Sequence, residues 1–449
     1  MRATMWLLAA GCLAHAACWT APGALADQLA DRFDRSKPAI HRQLNSARAE
    51  QRIAALEQLR DYPVADAARL IHSCFDDADE EVRAAAYSAL VHTNSEQEVC
   101  DTLLEMAKSG MKQRGGPHSV PLALAALLSS NLPRAQVTAV QFLDNSVAES
   151  PYGPHILVAI ADSLGAHGKP ANVRPLARLS NTKLFKRHFG VRRATVGALT
   201  KIPSKEAVAA LIGMMTEAGG EARADAAEHL TTVTGEDYGT NAEKWKSWWA
   251  EAGSAFEYPG SSPTAPYRTI VREGESGKYY DLPLFAERLV FVLDISGSMQ
   301  GGRMDAAKRE LLKAINGLPK HASFGVVVFN GSVGSWKKKL VPAEPRMKRS
   351  AAEFVAQLNP QSQTATYDAL EAAFTFDTEA IYFLTDGAPT AGKIMAPADI
   401  IRSVTGVNKV RRISIYTIGV APGFPGSVTD AFLKNLAEQN FGHYRRIDG

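Results

Sequence analysis

The sequence predicts a multi-domain protein with an N-terminal all-α solenoid and a C-terminal α/β domain built on a doubly wound, mostly parallel sheet. Two observations predict this architecture. Residues 27–251 carry apolar residues at helical spacing, and segments of this region recur 31 residues apart. Residues 285–449 instead alternate short apolar runs with helical patterns. The length of 449 residues is enough for both parts, since a domain takes roughly 150 residues.

The composition excludes several classes of protein. Apolar residues make up 46% of the chain, which is enough for packed cores and too many for a disordered chain. The 50 basic and 47 acidic residues leave a net charge of +3, which is too small to predict a nucleic-acid partner. Four cysteines are too few for a disulfide framework. No apolar run reaches the roughly 18 residues that a membrane-spanning helix needs.

Residues 1–26 are predicted to form a secretory signal peptide. Arg2 precedes an apolar run at 5–14, and Ala24 to Ala26 provide a small-residue exit. A lipoprotein signal that ends at Cys12 is an alternative, weakened by the short apolar run before that cysteine. We therefore expect an exported protein, periplasmic or extracellular, with no transmembrane segment in the mature chain.

Cleavage after residue 26 would leave two cysteines, Cys74 and Cys100. Export would permit a disulfide between them, because disulfides persist in oxidising compartments. Both cysteines fall in the helical region, about a turn out of register with each other. The sequence therefore favours two buried thiols over a bridge.

The helical region, residues 27–251, contains an internal repeat. The segment that starts at Arg52 matches the one that starts at Arg83, and the segments at Val191 and Ala222 match at the same offset of 31 residues. One helical hairpin cannot bury its own apolar face, so a repeat of this length predicts stacked helix pairs. The region resembles short HEAT-type repeats, and an irregular helical bundle is the alternative.

A linker is predicted at residues 252–284, between the two folded parts. It is rich in Gly, Pro and Ser and shows no sustained hydrophobic period. The dipeptide Gly277-Lys278 is not a phosphate-binding loop, because that motif needs Gly at position 272 and Ser or Thr at 279, where the chain has Arg272 and Tyr279.

The C-terminal domain, residues 285–449, is predicted to have buried strands at 289–293, 324–329, 381–384 and 413–420. These runs are apolar on both faces, which is typical of a sheet covered by helices on both sides. Helical patterns intervene or follow, and they lie at 304–318, 347–358, 367–376, 397–410 and 429–439. A further strand is predicted close to the terminus, beside His443.

Oxygen-bearing side chains gather at the predicted carboxyl edge of this sheet. The first strand ends in Asp294, and Ser296 and Ser298 follow at alternate positions. A later strand ends before Asp386, and a third loop at 364–368 opens a helix at the same edge. Because ligands of such sheets bind beyond the carboxyl ends of the strands, we expect these loops to converge. Helix capping by Asp294 and the serines would explain one loop but not all three.

The donors in these loops predict a hard cation. Two carboxylates and several hydroxyls, without Cys or His, favour Mg²⁺, with Mn²⁺ or Ca²⁺ as alternatives, and argue against zinc. Mg²⁺ takes about six oxygen ligands and keeps some of its water. Such a cation has a water-filled position that a carboxylate from outside can take.

The segments FVLDISGSM at 291–299 and FLTDGAPT at 383–390 resemble a von Willebrand factor type A (VWA) domain over residues 285–449. The resemblance implies a metal-ion-dependent adhesion site whose ligands would be Asp294, Ser296, Ser298, Thr364 and Asp386. The family commonly has Gly-Gly before the threonine, where this chain has Ser362-Gln363, so Thr366 is a substitute candidate for Thr364. Helical repeats paired with such a domain also resemble exported bacterial proteins.

The function that the sequence favours is a metal-dependent protein-binding module for adhesion or assembly, whose partner contributes a Glu or Asp to the Mg²⁺. The alternative is a scaffold that binds through its helical surface, with a structural or vestigial metal site. An enzyme is not expected, because no His lies near either metal loop in the sequence and no nucleophile elbow is present.

Overall fold

The computed structural model describes residues 22–113, 119–259, 277–361 and 363–448. Most of the predicted signal peptide and residues 260–276 of the predicted linker lie outside these ranges. Within them, every helix is too short or too polar to cross a lipid bilayer. The chain divides into two compact units, residues 1–119 with 130–132, and residues 120–129 with 133–449. The domain boundaries drawn from the sequence stay a prediction.

The first unit is helical, and its helices pack on neighbours one and two positions along the chain, as in stacked helix pairs. In chain order these helices are α1 (Pro22–Leu44), α2 (Ala49–Leu59), α3 (Ala65–Ser73), α4 (Glu80–Thr93) and α5 (Gln97–Gln113). Helix α1 packs on α2, α2 on α4 and α3 on α5. Each helix thereby covers an apolar face that it could not bury alone.

The 31-residue repeat reappears as a repeated set of hydrogen bonds. Arg52 in α2 donates through Nη1 to the carbonyls of Ser46 and Ala47, at 2.9 and 3.2 Å. Arg83 in α4 donates through Nη1 to the carbonyls of residues 77 and 78, at 2.7 and 3.1 Å. The two arginines therefore tie down equivalent turns, one repeat apart. The matched sequence segments mark a structural repeat.

Cys74 and Cys100, the cysteines of the first unit that lie in the described residues, are free thiols, as expected. Cys74 directly follows α3 and Cys100 lies in α5, and both are buried. Burial raises the pKa of each thiol above its ordinary value. A protonated buried thiol is a poor nucleophile, so these cysteines behave as small apolar side chains.

The second unit begins with further helices, continues into the sheet and contains the predicted α/β domain. The helices are α6 (Ser119–Ser129), α7 (Pro133–Phe142), α8 (Gly153–Ala166), α9 (Val173–Leu179), α10 (Lys183–Arg187), α11 (Phe189–Leu199), α12 (Lys205–Ala218), α13 (Gly220–Thr234) and α14 (Ala242–Ala252). A π-helical turn follows α7 at Leu143–Val147, and a 3-10 turn precedes α9 at Pro170–Asn172. Helix α11 is central, since it packs on α8, α12 and α13.

A separate hairpin, β1 (Lys278–Tyr279) and β2 (Leu282–Pro283), precedes the sheet. The sheet is formed by β3 (Arg288–Asp294), β4 (Ser323–Phe329), β5 (Val333–Ser335), β6 (Val341–Pro342), β7 (Ala380–Thr385), β8 (Ser414–Val420) and β9 (Tyr444–Ile447). Five of these strands are parallel, in the order β4-β3-β7-β8-β9, and β5 and β6 pair with β4 in the antiparallel direction. The predicted doubly wound, mostly parallel sheet is confirmed.

Helices cover both faces of the sheet, as its two-sided apolar strands predict. They are α15 (Gly302–Gly317), α16 (Pro345–Ala356), α17 (Thr366–Ala373), α18 (Pro397–Arg411) and α19 (Val428–Glu438). Leu289, Phe291 and Leu293 of β3 pack in one core with α15 and α16. Val290 and Val292 of the same strand pack in the other core with α17, α18 and α19.

The helices before the sheet are joined to it by buried polar contacts at the start of β8. Arg193 in α11 pairs with Asp225 through Nε at 2.7 Å and Nη2 at 3.0 Å. Its Nη1 donates to the Arg412 carbonyl at 3.0 Å and to the Ser414 hydroxyl at 2.7 Å. Arg193 is 6% exposed, so these bonds are shielded from water. The sheet and these helices therefore share one buried hydrogen-bond network.

Glu221 belongs to the same network, at the first turn of α13. Its Oε2 accepts from the Ser414 hydroxyl at 3.0 Å and the Tyr416 hydroxyl at 2.7 Å. Its Oε1 is buried and has no hydrogen-bond partner among the described residues. Burial raises the pKa of Glu221 from its ordinary 4.5 to about 7, although Arg193 lies near and acts to lower it.

We expect the Glu221→Gln variant to gain stability relative to wild type as pH rises from 4.5 to 7. The folded state holds the proton of Glu221 more tightly than the unfolded state, so its contribution is complete below pH 4.5 and is lost as pH rises through about 7. Glutamine stays neutral and keeps both hydrogen bonds from Ser414 and Tyr416. The difference in unfolding free energy should reach about 3 kcal/mol.

Urea unfolding between pH 4.5 and 8, followed by tryptophan fluorescence, measures this difference. The described tryptophans Trp245, Trp248, Trp249 and Trp336 all lie in the second unit. The exposed Glu217 is the matched control, because Glu217→Gln removes the same charge from the neighbouring helix α12. A wild-type and a Glu221→Gln curve that stay parallel across this pH range would contradict the prediction.

Candidate metal centre

The carboxyl ends of β3 and β7 lie side by side, because the two strands are parallel neighbours in the middle of the sheet. Asp294 is the last residue of β3, and Asp386 directly follows β7. From β3 the chain turns to β4 on one side and later returns to β7 on the other. The two carboxylates therefore stand where the strand order reverses, the position at which open α/β sheets bind ligands.

Asp294 is completely buried and accepts hydrogen bonds on both carboxylate oxygens. The backbone N–H of Ser296 donates to Oδ1 at 2.7 Å, and the Thr385 hydroxyl donates to Oδ2 at 2.5 Å. Burial raises the pKa of Asp294 to about 6, against the lowering effect of these hydrogen bonds. Both donors are neutral groups. The carboxylate is thus shielded from water without a cationic side chain of the described chain to compensate it.

Two serine hydroxyls connect the first loop to Asp386. Ser296 Oγ and Ser298 Oγ lie 3.1 Å apart, and Ser298 Oγ donates to Asp386 Oδ1 at 2.7 Å. Ser298 stands in a 3-10 turn, Gly297–Met299, which carries its side chain across to the end of β7. Residue 387 also lies beside this turn, since a Cβ added to Gly387 would stand 3.8 Å from Ser298 Oγ, an ordinary contact distance.

Thr364 lies in the third loop, which runs beside the first. The Gln361 N–H donates to the Ile295 carbonyl at 2.8 Å, and the Ala365 N–H donates to the Asn330 carbonyl at 2.7 Å. The Thr364 N–H is held by the Thr390 hydroxyl at 2.9 Å. The structure therefore places the Thr364 loop against the D-x-S-x-S loop, at the same edge of the sheet. The Thr364 hydroxyl makes no hydrogen bond to any serine or aspartate among the described residues.

The departure from Gly-Gly before Thr364 is accommodated by another glycine. The exposed Gln363 side chain lies over Gly331, where an added Cβ would be 3.1 Å from Gln363 Oε1 and 3.4 Å from Gln363 Cβ. Ser362 lies outside the described residues. Gly331 thus provides room that a larger residue would take from Gln363, and the loop keeps Thr364 at the edge.

Thr366, the substitute candidate, begins helix α17. It is completely buried, and its hydroxyl has no hydrogen-bond partner in the described part of the chain. Its neighbour Asp368 instead accepts from the Lys393 N–H at 3.1 Å and so fixes the loop after β7. The sequence left Thr364 and Thr366 as alternatives, and metal binding by variants of each would decide between them.

These residues fit a hard divalent cation by their chemistry. The edge site, which we define as Asp294, Ser296, Ser298, Thr364 and Asp386, offers two carboxylates and three hydroxyls. It has neither sulfur nor imidazole, as Mg²⁺ prefers. Among the described residues no group of three or more His, Cys, Asp or Glu side chains could hold a metal. The edge site differs from such a group, because three of its five oxygen donors are hydroxyls. A cation bound there would compensate the charge of the buried Asp294.

Two family models match this chain. The model of the von Willebrand factor type A domain matches residues 287–446, and a model of HEAT repeats matches residues 38–114. The chain contains a von Willebrand factor type A domain preceded by helical repeats. The VWA match covers all five residues of the edge site. VWA domains mediate protein–protein interaction, so the domain indicates a role in interaction or adhesion.

Curated relatives match a little over a third of this chain. The bovine inter-alpha-trypsin inhibitor heavy chain H3 is 31% identical over 180 residues, which are 37% of this chain and 19% of that protein. The human H3 chain is 28% identical over 180 residues, and the H1 chain of Mesocricetus auratus is 30% identical over 181 residues, with the same shares of 37% and 19%. This chain therefore spans about a fifth of the length of the relatives it matches.

Solved structures overlap a similar share of the chain. A von Willebrand factor type A protein from Catenulispora acidiphila is 23% identical, with a TM-score of 0.31, and the overlap covers 37% of this chain and 40% of that one. An aerotolerance-related membrane protein from Bacteroides fragilis is also 23% identical, with a TM-score of 0.29 and coverage of 36% and 92%.

The sequence did not single out two residues that contact the edge site. Thr385 precedes Asp386 at the end of β7 and donates to Asp294 from the neighbouring strand. Arg303 stands in the first turn of α15 and donates to Asp386 Oδ2 at 2.9 Å. Strand pairing could have pointed to Thr385. For Arg303 the available signal is that it is the first cation after the serine loop.

Proposed function

We propose that this chain is an exported, metal-dependent protein-binding module, in which Mg²⁺ at the edge site links the VWA domain to a Glu or Asp of a partner protein. The single observation that supports the proposal is the buried Asp294 carboxylate, which has no cationic partner among the described residues and shares its edge of the sheet with four other oxygen-bearing side chains. A protein interior tolerates such a charge when a cation compensates it.

The five residues of the edge site would divide the work between charge and geometry. Asp294 and Asp386 supply two negative charges that offset those of the ion. Ser296, Ser298 and Thr364 supply neutral oxygens, which leave the bound ion electrophilic. The ion itself would supply a position at which water gives way to an external carboxylate. The Thr364 N–H donates to the Thr390 hydroxyl and the Ala365 N–H donates to the Asn330 carbonyl, so the Thr364 loop is held in place before any ligand arrives.

We propose no catalytic role for this site. His443, which the sequence left as an unassigned histidine, precedes β9 and lines a cavity with Arg193, Glu221 and Tyr416 at the start of β8. That cavity lies at the junction with the helices, away from the carboxyl ends of β3 and β7. Export, a periplasmic or extracellular location and Mg²⁺ itself, rather than Mn²⁺ or Ca²⁺, belong to the same proposal.

Affinity capture from the native envelope fraction tests the proposal. The full chain serves as bait in Mg²⁺, in Mn²⁺, in Ca²⁺ and with EDTA, and the Ser298→Ala variant is run beside it. We expect one or more proteins to elute from the wild-type bait in Mg²⁺ and to be lost both with EDTA and with Ser298→Ala. Circular dichroism of each bait confirms that chelation and substitution leave the fold intact.

Binding that does not depend on the metal would favour the scaffold alternative. Partners that stay bound in EDTA and to Ser298→Ala would contradict the metal bridge and support the scaffold alternative, in which the helical repeats do the binding. Substituting the repeat arginines Arg52 and Arg83 on the full chain would not separate the two ideas, because both arginines hold turns of the repeat itself.

A further inference from the structure

Arg303 pairs with Asp386, the aspartate of the edge site that has a cationic partner among the described residues. Its Nη1 donates to Asp386 Oδ2 at 2.9 Å and to the Ser298 carbonyl at 3.3 Å. The Asp386 side chain is fully shielded, whereas the Arg303 side chain is 44% exposed. Since Ser298 Oγ occupies the other oxygen, both oxygens of Asp386 are engaged within the protein.

Helix geometry does not account for the position of this cation. Arg303 is the second residue of α15, and the amino end of a helix carries a partial positive charge. A cation in the first turn is therefore disfavoured by its own helix. Its contact with Asp386 and the Ser298 carbonyl is what holds it there. The backbone of Arg303 is fixed in α15, whereas its exposed side chain has room to turn toward solvent.

We propose that Arg303 is a tethered cation that competes with the metal for Asp386 and then contributes to recognition of the partner's carboxylate. This inference rests on the proposed function. With Arg303, the two aspartates and the guanidinium sum to one negative charge. A divalent ion changes that sum to one positive charge, and a single carboxylate from a partner then makes it neutral.

Removal of Arg303 changes the two affinities in opposite directions. Without the guanidinium, the two aspartates alone neutralise a divalent ion, so Mg²⁺ binds more tightly. The loaded site is then neutral, and a carboxylate from outside adds an uncompensated negative charge. Arg303 therefore weakens metal binding and strengthens binding of the carboxylate, which makes the two ligands mutually dependent.

Isothermal titration of the full chain with Mg²⁺ tests this inference, at low ionic strength so that screening does not mask the charge. Each titration is run in sodium chloride and in sodium acetate of equal ionic strength, acetate being the carboxylate probe. The variants are Arg303→Met and Arg303→Lys. Arg309→Met is the matched control, because it removes a cation from an exposed position of the same helix.

We expect Arg303→Met to bind Mg²⁺ roughly tenfold more tightly than wild type in chloride. Acetate binds the positively charged, metal-loaded wild-type site more tightly than the neutral loaded site of Arg303→Met. Because linked ligands affect each other equally, acetate should therefore raise the Mg²⁺ affinity of wild type more than that of Arg303→Met. Arg303→Lys keeps the charge and should stay within about threefold of wild type, as should Arg309→Met.

The failures of the two proposals are distinguishable. Equal Mg²⁺ affinities in wild type and Arg303→Met, with the same acetate effect, would overturn the inference and leave the metal-bridge proposal standing. Mg²⁺ binding by Arg303→Met alone would support competition between the guanidinium and the metal for Asp386, but it would overturn both the metal bridge in the wild-type chain and the role of Arg303 in recognising a carboxylate. Absence of Mg²⁺ binding in every variant would overturn both the inference and the proposed function.

Discussion

The Asp294→Asn variant is expected to lose Mg²⁺ binding by at least about 100-fold, the upper range for loss of a group that supports a metal site. The substitution removes one of the two charges that hold the ion and keeps the shape of the side chain. Its amide oxygen can accept from the Ser296 N–H, and its NH₂ group can donate to the Thr385 hydroxyl, which then turns to another acceptor. The fold should therefore survive while the affinity is lost.

Titration calorimetry measures the Mg²⁺ affinity, and urea unfolding in the presence of EDTA measures the stability of the metal-free protein. Asp305→Asn is the matched control, because Asp305 is an exposed aspartate in the first turn of α15, close in sequence to the same loop. If Asp294→Asn bound Mg²⁺ as tightly as wild type, Asp294 would not be a ligand of the metal. An unfolded Asp294→Asn protein would show a structural role, and Asp386→Asn would then carry the test.

The Gly190→Ala variant is expected to lose about 3 kcal/mol or more of unfolding free energy. Gly190 lies in the first turn of α11, where that helix meets the end of α18. An added Cβ would stand 1.9 Å from the Val410 carbonyl oxygen and 3.0 Å from the carbonyl carbon of Arg411. These are backbone atoms, which cannot turn aside as a flexible side chain can. One methyl group would therefore push the helices away from the sheet domain.

Gly197→Ala in the same helix is the matched control for Gly190→Ala. Apart from its own helix backbone, no described atom lies within 4 Å of a Cβ at position 197, so alanine should stabilise α11 by about 0.5–1 kcal/mol. Urea unfolding of both variants, followed by tryptophan fluorescence, measures the two effects with opposite signs. A Gly190→Ala protein as stable as wild type would mean that α11 and α18 can separate without cost.

The close approach at Gly190 and the buried bonds of Arg193 and Glu221 have a practical consequence. Deletion of residues 27–251 removes the helical surface through which the scaffold hypothesis binds and leaves the edge site of the metal-bridge hypothesis. In the structure, that deletion would also expose Ser414 and Tyr416 at the start of β8, which these helices cover. Loss of binding after such a deletion would not reveal which surface binds. Single substitutions at the edge site keep the second unit whole.

The main strands were predictable because each is a continuous apolar run that ends at a polar residue. The prediction at 289–293 became β3, Arg288–Asp294, and the prediction at 324–329 became β4, Ser323–Phe329. The hairpin β1–β2 was not predicted, since two-residue strands carry no periodicity, and it lies inside the predicted linker. The strands β5 and β6, of three and two residues, were missed because they are also too short to show a hydrophobic period.

The fold class followed from the residue pattern alone, and so did the placement of Asp294 and Asp386 at one edge, because the carboxyl ends of parallel strands lie together. The preference for a hard cation followed as well, since it depends only on which residues are present. The folded arrangement was needed to show that Arg303 pairs with Asp386, that Thr385 donates to Asp294 and that Gln363 lies over Gly331. These contacts depend on side-chain reach between chain segments far apart in sequence, and local pattern carries no information about that reach.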